Sequence, residues 1–80
     1  MDGRKLVKMA NEIAAFFAVE PVHAAAVEGV AGHLQRFWEP RMRRAILAVF
    51  DAGGGQGMHE LVVEALRSHR QRLEPAATAK

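Results

Sequence analysis

Eighty residues, half of them apolar, with a net charge of +2, describe one small and mildly basic domain. Fifteen alanines take up much of the apolar share, and a chain this short hides only about 60–65% of its unfolded surface, so large core side chains are few and stability is thin. The absence of cysteine excludes disulfides and thiolate metal sites and suits a reducing compartment, so a cytoplasmic location is expected.

Along the chain the 3.6-residue period dominates, and no segment sustains strand-like alternation. Leu6, Met9, Ala10, Ile13, Phe16 and Phe17 fall on one helical face, and the helix stops before Pro21, because the residue preceding a proline avoids the α region. Arg4, Lys5 and Lys8 open this segment, but Asn11 and Glu12 interrupt the apolar residues after them, which speaks against a secretory leader. No apolar run approaches the roughly 18 residues that a membrane crossing needs. Val27, Val30, Ala31, Leu34, Phe37 and Trp38 form a second stripe. It repeats the first in spacing and also ends in an aromatic pair soon followed by Glu-Pro.

Pro40 starts a third helix that runs to about Ala52, since a ring with fixed φ and no N–H suits the first helical turn. Its main stripe is Met42, Ala45, Ile46, Val49 and Phe50, but Leu47 lies well round from it. That arc is wider than one neighbour requires, so part of the helix is expected in an interface. The run Gly53-Gly54-Gly55-Gln56-Gly57 ends the helix. A fourth stripe holds Met58, Val62, Ala65, Leu66, His69 and Leu73 and closes at Glu74-Pro75. The expected architecture is all-α: a small bundle of about four short helices over residues 1–75, with 76–80 a disordered tail.

No constellation for catalysis emerges. The glycine run lacks the Gly-Lys-Ser/Thr of a phosphate loop and reads as a flexible link. His23, His33, His59 and His69 contain no i, i+4 pair that would set two imidazoles on one face. Ser68 and His69 are adjacent on a helix and point about 100° apart, which is wrong for a nucleophile and its base. The carboxylates are spread along the chain as solvated faces are. No catalytic, cofactor-binding or metal-ligating residue is assigned, and no cofactor is expected in this chain.

The unusual residues gather at Phe37-Trp38-Glu39-Pro40-Arg41-Met42-Arg43-Arg44. Positive side chains in a first helical turn face the positive end of the macrodipole, at a cost of a few tenths of a kcal/mol each, roughly. Local helix physics does not ask for Arg41, Arg43 and Arg44. In one reading they dock on an acidic protein surface with Trp38 and Leu47, because guanidinium forks suit carboxylates and Trp and Arg often anchor interfaces. In another they contact nucleic acid from a helix-turn-helix, although the Glu39-Pro40 break is short and the surface only mildly basic. In the blandest, Trp38 fills the core, as its place on the apolar stripe favours, and the arginines pair with Glu39 or stay solvated.

Met9-Ala10-Asn11-Glu12-Ile13-Ala14-Ala15-Phe16-Phe17, then Pro21, then Val30 to Arg43 with its Phe37-Trp38 and Pro40-Arg41-Met42-Arg43 blocks, resemble the small delta subunit of soluble NAD-dependent, molybdenum-containing formate dehydrogenases. The likeness runs from about Leu6 to Leu66 and includes Leu61-Val62-Val63-Glu64-Ala65-Leu66, with a glycine link longer than the family's usual form. The resemblance implies a cofactor-free accessory subunit that supports assembly or stability. Its larger partners would carry the molybdenum bis-pterin guanine dinucleotide cofactor, iron–sulfur clusters and flavin, oxidise formate and pass electrons to NAD. A homodimer of the isolated chain remains open, and a small helical nucleic-acid-binding protein is the alternative.

Overall fold

Asp2 opens the first helix: its carboxylate accepts a hydrogen bond from the Arg4 backbone N–H at 2.9 Å, satisfying one of the donors a helix start leaves unpaired. In a computed structural model that describes residues 2–75, this helix, α1, spans Gly3–Phe17 and ends ahead of Pro21 as expected. Helix α2 spans His23–Phe37, and α3 runs from Pro40, at its first turn, to Gly53. Helices α4 (Glu60–Ser68) and α5 (Arg70–Leu73) complete an all-α fold, with no strand among the described residues. The tail at 76–80 lies outside the described residues.

Leu34, Ile46, Leu66, Leu73, Val30 and Val62 are the largest fully buried side chains. Buried Ala10, Ala14, Ala26, Ala31 and Ala65 lie among them, and side chains this small let helices approach closely. Phe17 lies over Gly29 while Trp38 shares a cavity wall with Met9 and Ile13, so α1 and α2 run antiparallel. Helix α4 packs on α2, and α3 packs on α1 and α4.

The glycine link turns through positive φ at Gly54 (66°), Gly55 (90°) and Gly57 (82°). Gly54 is the left-handed cap of α3, with open space around it. Gly55 is buried, and a Cβ there would sit 2.8 Å from a Val63 methyl. Gly54→Ala should therefore cost about 1 kcal/mol through backbone strain, and Gly55→Ala about 2 kcal/mol as a clash is added. Denaturant titration of the two variants checks the order. Asn11 anchors the far side of the link: its amide donates to the Gly57 carbonyl at 3.0 Å and its oxygen accepts from the His59 N–H at 2.8 Å.

The fourth stripe is not one continuous helix. The chain bends at His69 (φ −115°, ψ 28°), whose carbonyl then receives the N–H groups of Arg72 and Leu73. The bend carries Leu73 into the core at 0% exposure, which a straight continuation need not do. It also aims two arginines at carboxylates far off in sequence. Arg70 grips both oxygens of Asp51 at 2.8 and 2.7 Å and reaches Glu74 at 2.9 Å. Arg72 reaches Glu28 at 2.6 Å and Gln35 at 2.9 Å. Carboxylates that read as scattered solvated faces thus tie α5 to α2 and α3.

The hydrogen bond from Arg72 holds the Glu28 carboxyl below its ordinary 4.5. A lowered pKa contributes stability above the unfolded value and loses it as pH falls through the folded one. The melting-temperature gap between the parent and Glu28→Gln should accordingly be present above pH 4.5 and close in stronger acid. The contact is exposed, so the gap is modest.

Candidate partner-docking surface

Trp38 closes α2, its backbone N–H bonding the Leu34 carbonyl at 3.1 Å. Glu39 precedes Pro40 without capping α3 through its side chain. Two residues, Trp38 and Glu39, thus separate the helices, fewer than the three to four of a helix-turn-helix link. The five side chains singled out in the sequence divide. Trp38, 6% exposed, and Leu47, 4% exposed, belong to this chain's own core. The wide apolar arc of α3 faces two neighbours, α1 and α4, so the expectation that left Leu47 to an interface is corrected.

Arg41 and Arg44 are exposed, whereas Arg43 is partly buried. One Arg43 terminal nitrogen points at the Leu73 carbonyl at 3.5 Å, and its Nε is buried without a partner. Among the described residues none of the three forms an ion pair, with Glu39 or any other carboxylate. Arg43→Ala should therefore lower stability by about 1 kcal/mol through lost packing and the lost contact to α5. Arg41→Ala and Arg44→Ala should melt like the parent, as surface changes usually do. Thermal unfolding of the three variants separates the inner arginine from the outer two.

An open aromatic surface lies elsewhere, between α1 and α2. A groove of about 500 Å³ is lined by Met9, Glu12, Ile13, Phe16, Phe17, His33 and Trp38. Aromatic rings continue along it. Phe16 meets Phe17 edge-on at 5.0 Å between centroids, Phe17 meets His33 at 6.5 Å, and His33 tilts against Phe37 at 4.8 Å. Phe16 is 71% exposed, Phe37 69% and Met9 41%.

Phe16 and Phe37, expected in the core, thus stand at its edge, and the reason is angular. Successive helical residues diverge by about 100°, so in each terminal aromatic pair only one ring can point inward. Trp38 is the buried member of its pair and Phe17 the more buried of the other. The paired aromatics at Phe16-Phe17 and Phe37-Trp38 were the available signal for an open aromatic face.

The model of the family described as NADH-dependent formate dehydrogenase delta subunit, FdsD, matches residues 5–66. The chain belongs to this family. No curated protein and no solved structure matched it. As a delta subunit it is one chain of an NAD-dependent formate dehydrogenase, with larger subunits as partners. The matched span contains both walls of the groove and Arg41, Arg43 and Arg44, while α5 with its arginine clamps falls beyond it. Among the described residues of this delta subunit no three His, Asp or Glu side chains gather as metal ligands, and no helix is long and apolar enough to cross a membrane.

Proposed function

We propose that this delta subunit is a cofactor-free, non-catalytic accessory chain of the cytoplasmic enzyme, and that it docks on the larger subunits to support assembly or stability of the complex. The observation that carries the reading is the open aromatic groove in a chain whose family belongs to a multi-subunit enzyme. The groove walls offer one carboxylate, Glu12, and one imidazole, His33, in otherwise apolar surroundings. His23 is engaged with Glu64 at 3.0 Å on another surface. Such a lining suits shape and apolar contact better than turnover.

By family resemblance the larger subunits hold the molybdenum cofactor, iron–sulfur clusters and flavin, and carry electrons from formate to NAD. Arg41 and Arg44, both exposed on α3, supply guanidinium forks for carboxylates on that surface. The test is twofold. The purified chain should neither oxidise formate nor reduce NAD and should hold no stoichiometric zinc, iron or molybdenum. The enzyme prepared without this chain should keep its turnover per molybdenum but assemble less completely or lose activity sooner on warming. Turnover by the chain alone, or one ion per chain that a His→Ala variant loses, would show a catalytic or metal-bearing subunit instead.

A further inference from the structure

We infer that the α1–α2 groove receives an amphipathic helix of a larger formate dehydrogenase subunit, laying its apolar stripe over Met9, Phe16 and Phe37 and an acidic flank toward Lys5 and Lys8. The inference rests on the accessory-subunit reading above and names the surface and the chemistry of its partner.

The chain's own packing does not explain this face. Helix α1 buries Ala10 and Ala14 completely and leaves Phe16 71% exposed, the reverse of what the intramolecular core alone would favour. The rings are also held in place. Phe17 fills the space over Gly29, where an added Cβ would clash with the ring, and ring contacts link Phe16 through Phe17 and His33 to Phe37. An ordered apolar wall loses little side-chain freedom on binding.

Size selects the occupant. Phe16 at 71% and Phe37 at 69% exposure, with Met9 at 41%, offer roughly 300–450 Å² of apolar area. A standing dimer needs about 800 Å² from each partner, so a second copy seated here is under-supplied. A single helix is not. Met9 and Phe16 stand seven residues apart on α1, a rise of about 10.5 Å, which is the reach of anchors at i, i+3 or i+4, and i+7 on a docked helix.

Charge gives the occupant its sign. Lys5 and Lys8 lie four residues before Met9 and Glu12, so they continue the groove-facing side of α1 by one turn, and both are exposed. Arg41, three residues after Trp38 in the chain, is exposed as well. Against these two lysines the groove wall itself carries one carboxylate, Glu12, whereas the Arg36 guanidinium lies by Gly32 and Glu28 on the α5 side of α2. The positive excess favours carboxylates on the incoming helix and disfavours a basic one.

The experiment measures association of the full chain with formate dehydrogenase prepared without it. Parent, Phe16→Ser/Phe37→Ser and Lys5→Glu/Lys8→Glu are compared, each checked for helical content and melting temperature. The aromatic double variant should bind at least tenfold more weakly while folding like the parent. The lysine variant should bind several-fold more weakly, with the deficit growing at low salt. A photo-cross-linking phenylalanine analogue in place of Phe16 should capture a helix of a larger subunit with acidic residues beside its apolar stripe. If the parent binds and the folded aromatic double variant binds equally, the groove is not the docking surface, while the accessory-subunit reading stands. If the parent itself fails to bind, both fall. A parent dimer that the aromatic variant dissolves, or a cross-link to a second copy, would assign the groove to self-association and overturn the inference.

Discussion

Leu34→Ala is expected to remove about 3–5 kcal/mol from the stability of the isolated chain. Leu34 is 0% exposed, among the largest fully buried side chains, and belongs to α2, which packs against α1, α4 and α5. Removing it deletes transfer energy and leaves a cavity that the surrounding alanines cannot fill by rotamer changes. Small domains sit near the lower end of the usual 5–15 kcal/mol, so the loss is most of what the chain has. Ile13→Ala is a useful companion. Ile13 is only partly buried and lies on the groove wall, so its loss should cost nearer to about 1–2 kcal/mol. Urea unfolding followed by far-ultraviolet circular dichroism measures both. A Leu34→Ala chain that unfolds like the parent would mean that the second stripe does not form the core.

Asn11→Ala is expected to cost about 1–2 kcal/mol although Asn11 is not a member of the core cluster. Its amide bridges α1 to the link before α4, donating to the Gly57 carbonyl and accepting from the partly buried His59 N–H. Truncation strips two backbone groups of their partner at once; the partly buried His59 N–H loses most, while water can take over the exposed Gly57 carbonyl. Amide exchange gives the specific signature. Protection should fall first at the start of α4, around His59 and Leu61, and only later in α2. Uniform loss of protection would mean that Asn11 supports the fold globally, and unchanged protection that the bridge is idle.

Helices α1, α2 and α3 were legible in the sequence because each is bounded by a residue with a stereochemical reason. Pro21 lies beyond the end of α1, Pro40 begins α3 and Gly54 ends it. The bend at His69 was not legible. No proline or glycine marks it, and its contacts, Arg70 with Asp51 and Arg72 with Glu28, join residues 19 and 44 positions apart. Asn11 stood out only as a polar interruption of an apolar block, since its two partners lie 46 and 48 positions away. The extent to which this chain's own core buries Trp38 and Leu47 was not legible. Periodicity set Trp38 and Leu47 on apolar arcs without telling how many neighbours would cover them. It likewise counted Phe16, Phe37 and Met9 as core, because the outer edge of a stripe is decided by the packing of the other helices.

Affinity capture of the full-length chain from its native cell, with identification of every co-purifying protein, tests most directly whether this subunit works as a docking component. The docking reading predicts that the larger formate dehydrogenase subunits are recovered with it, still bearing molybdenum, iron and flavin. Recovery of the chain by itself, or with nucleic acid and no formate dehydrogenase subunit, would contradict it.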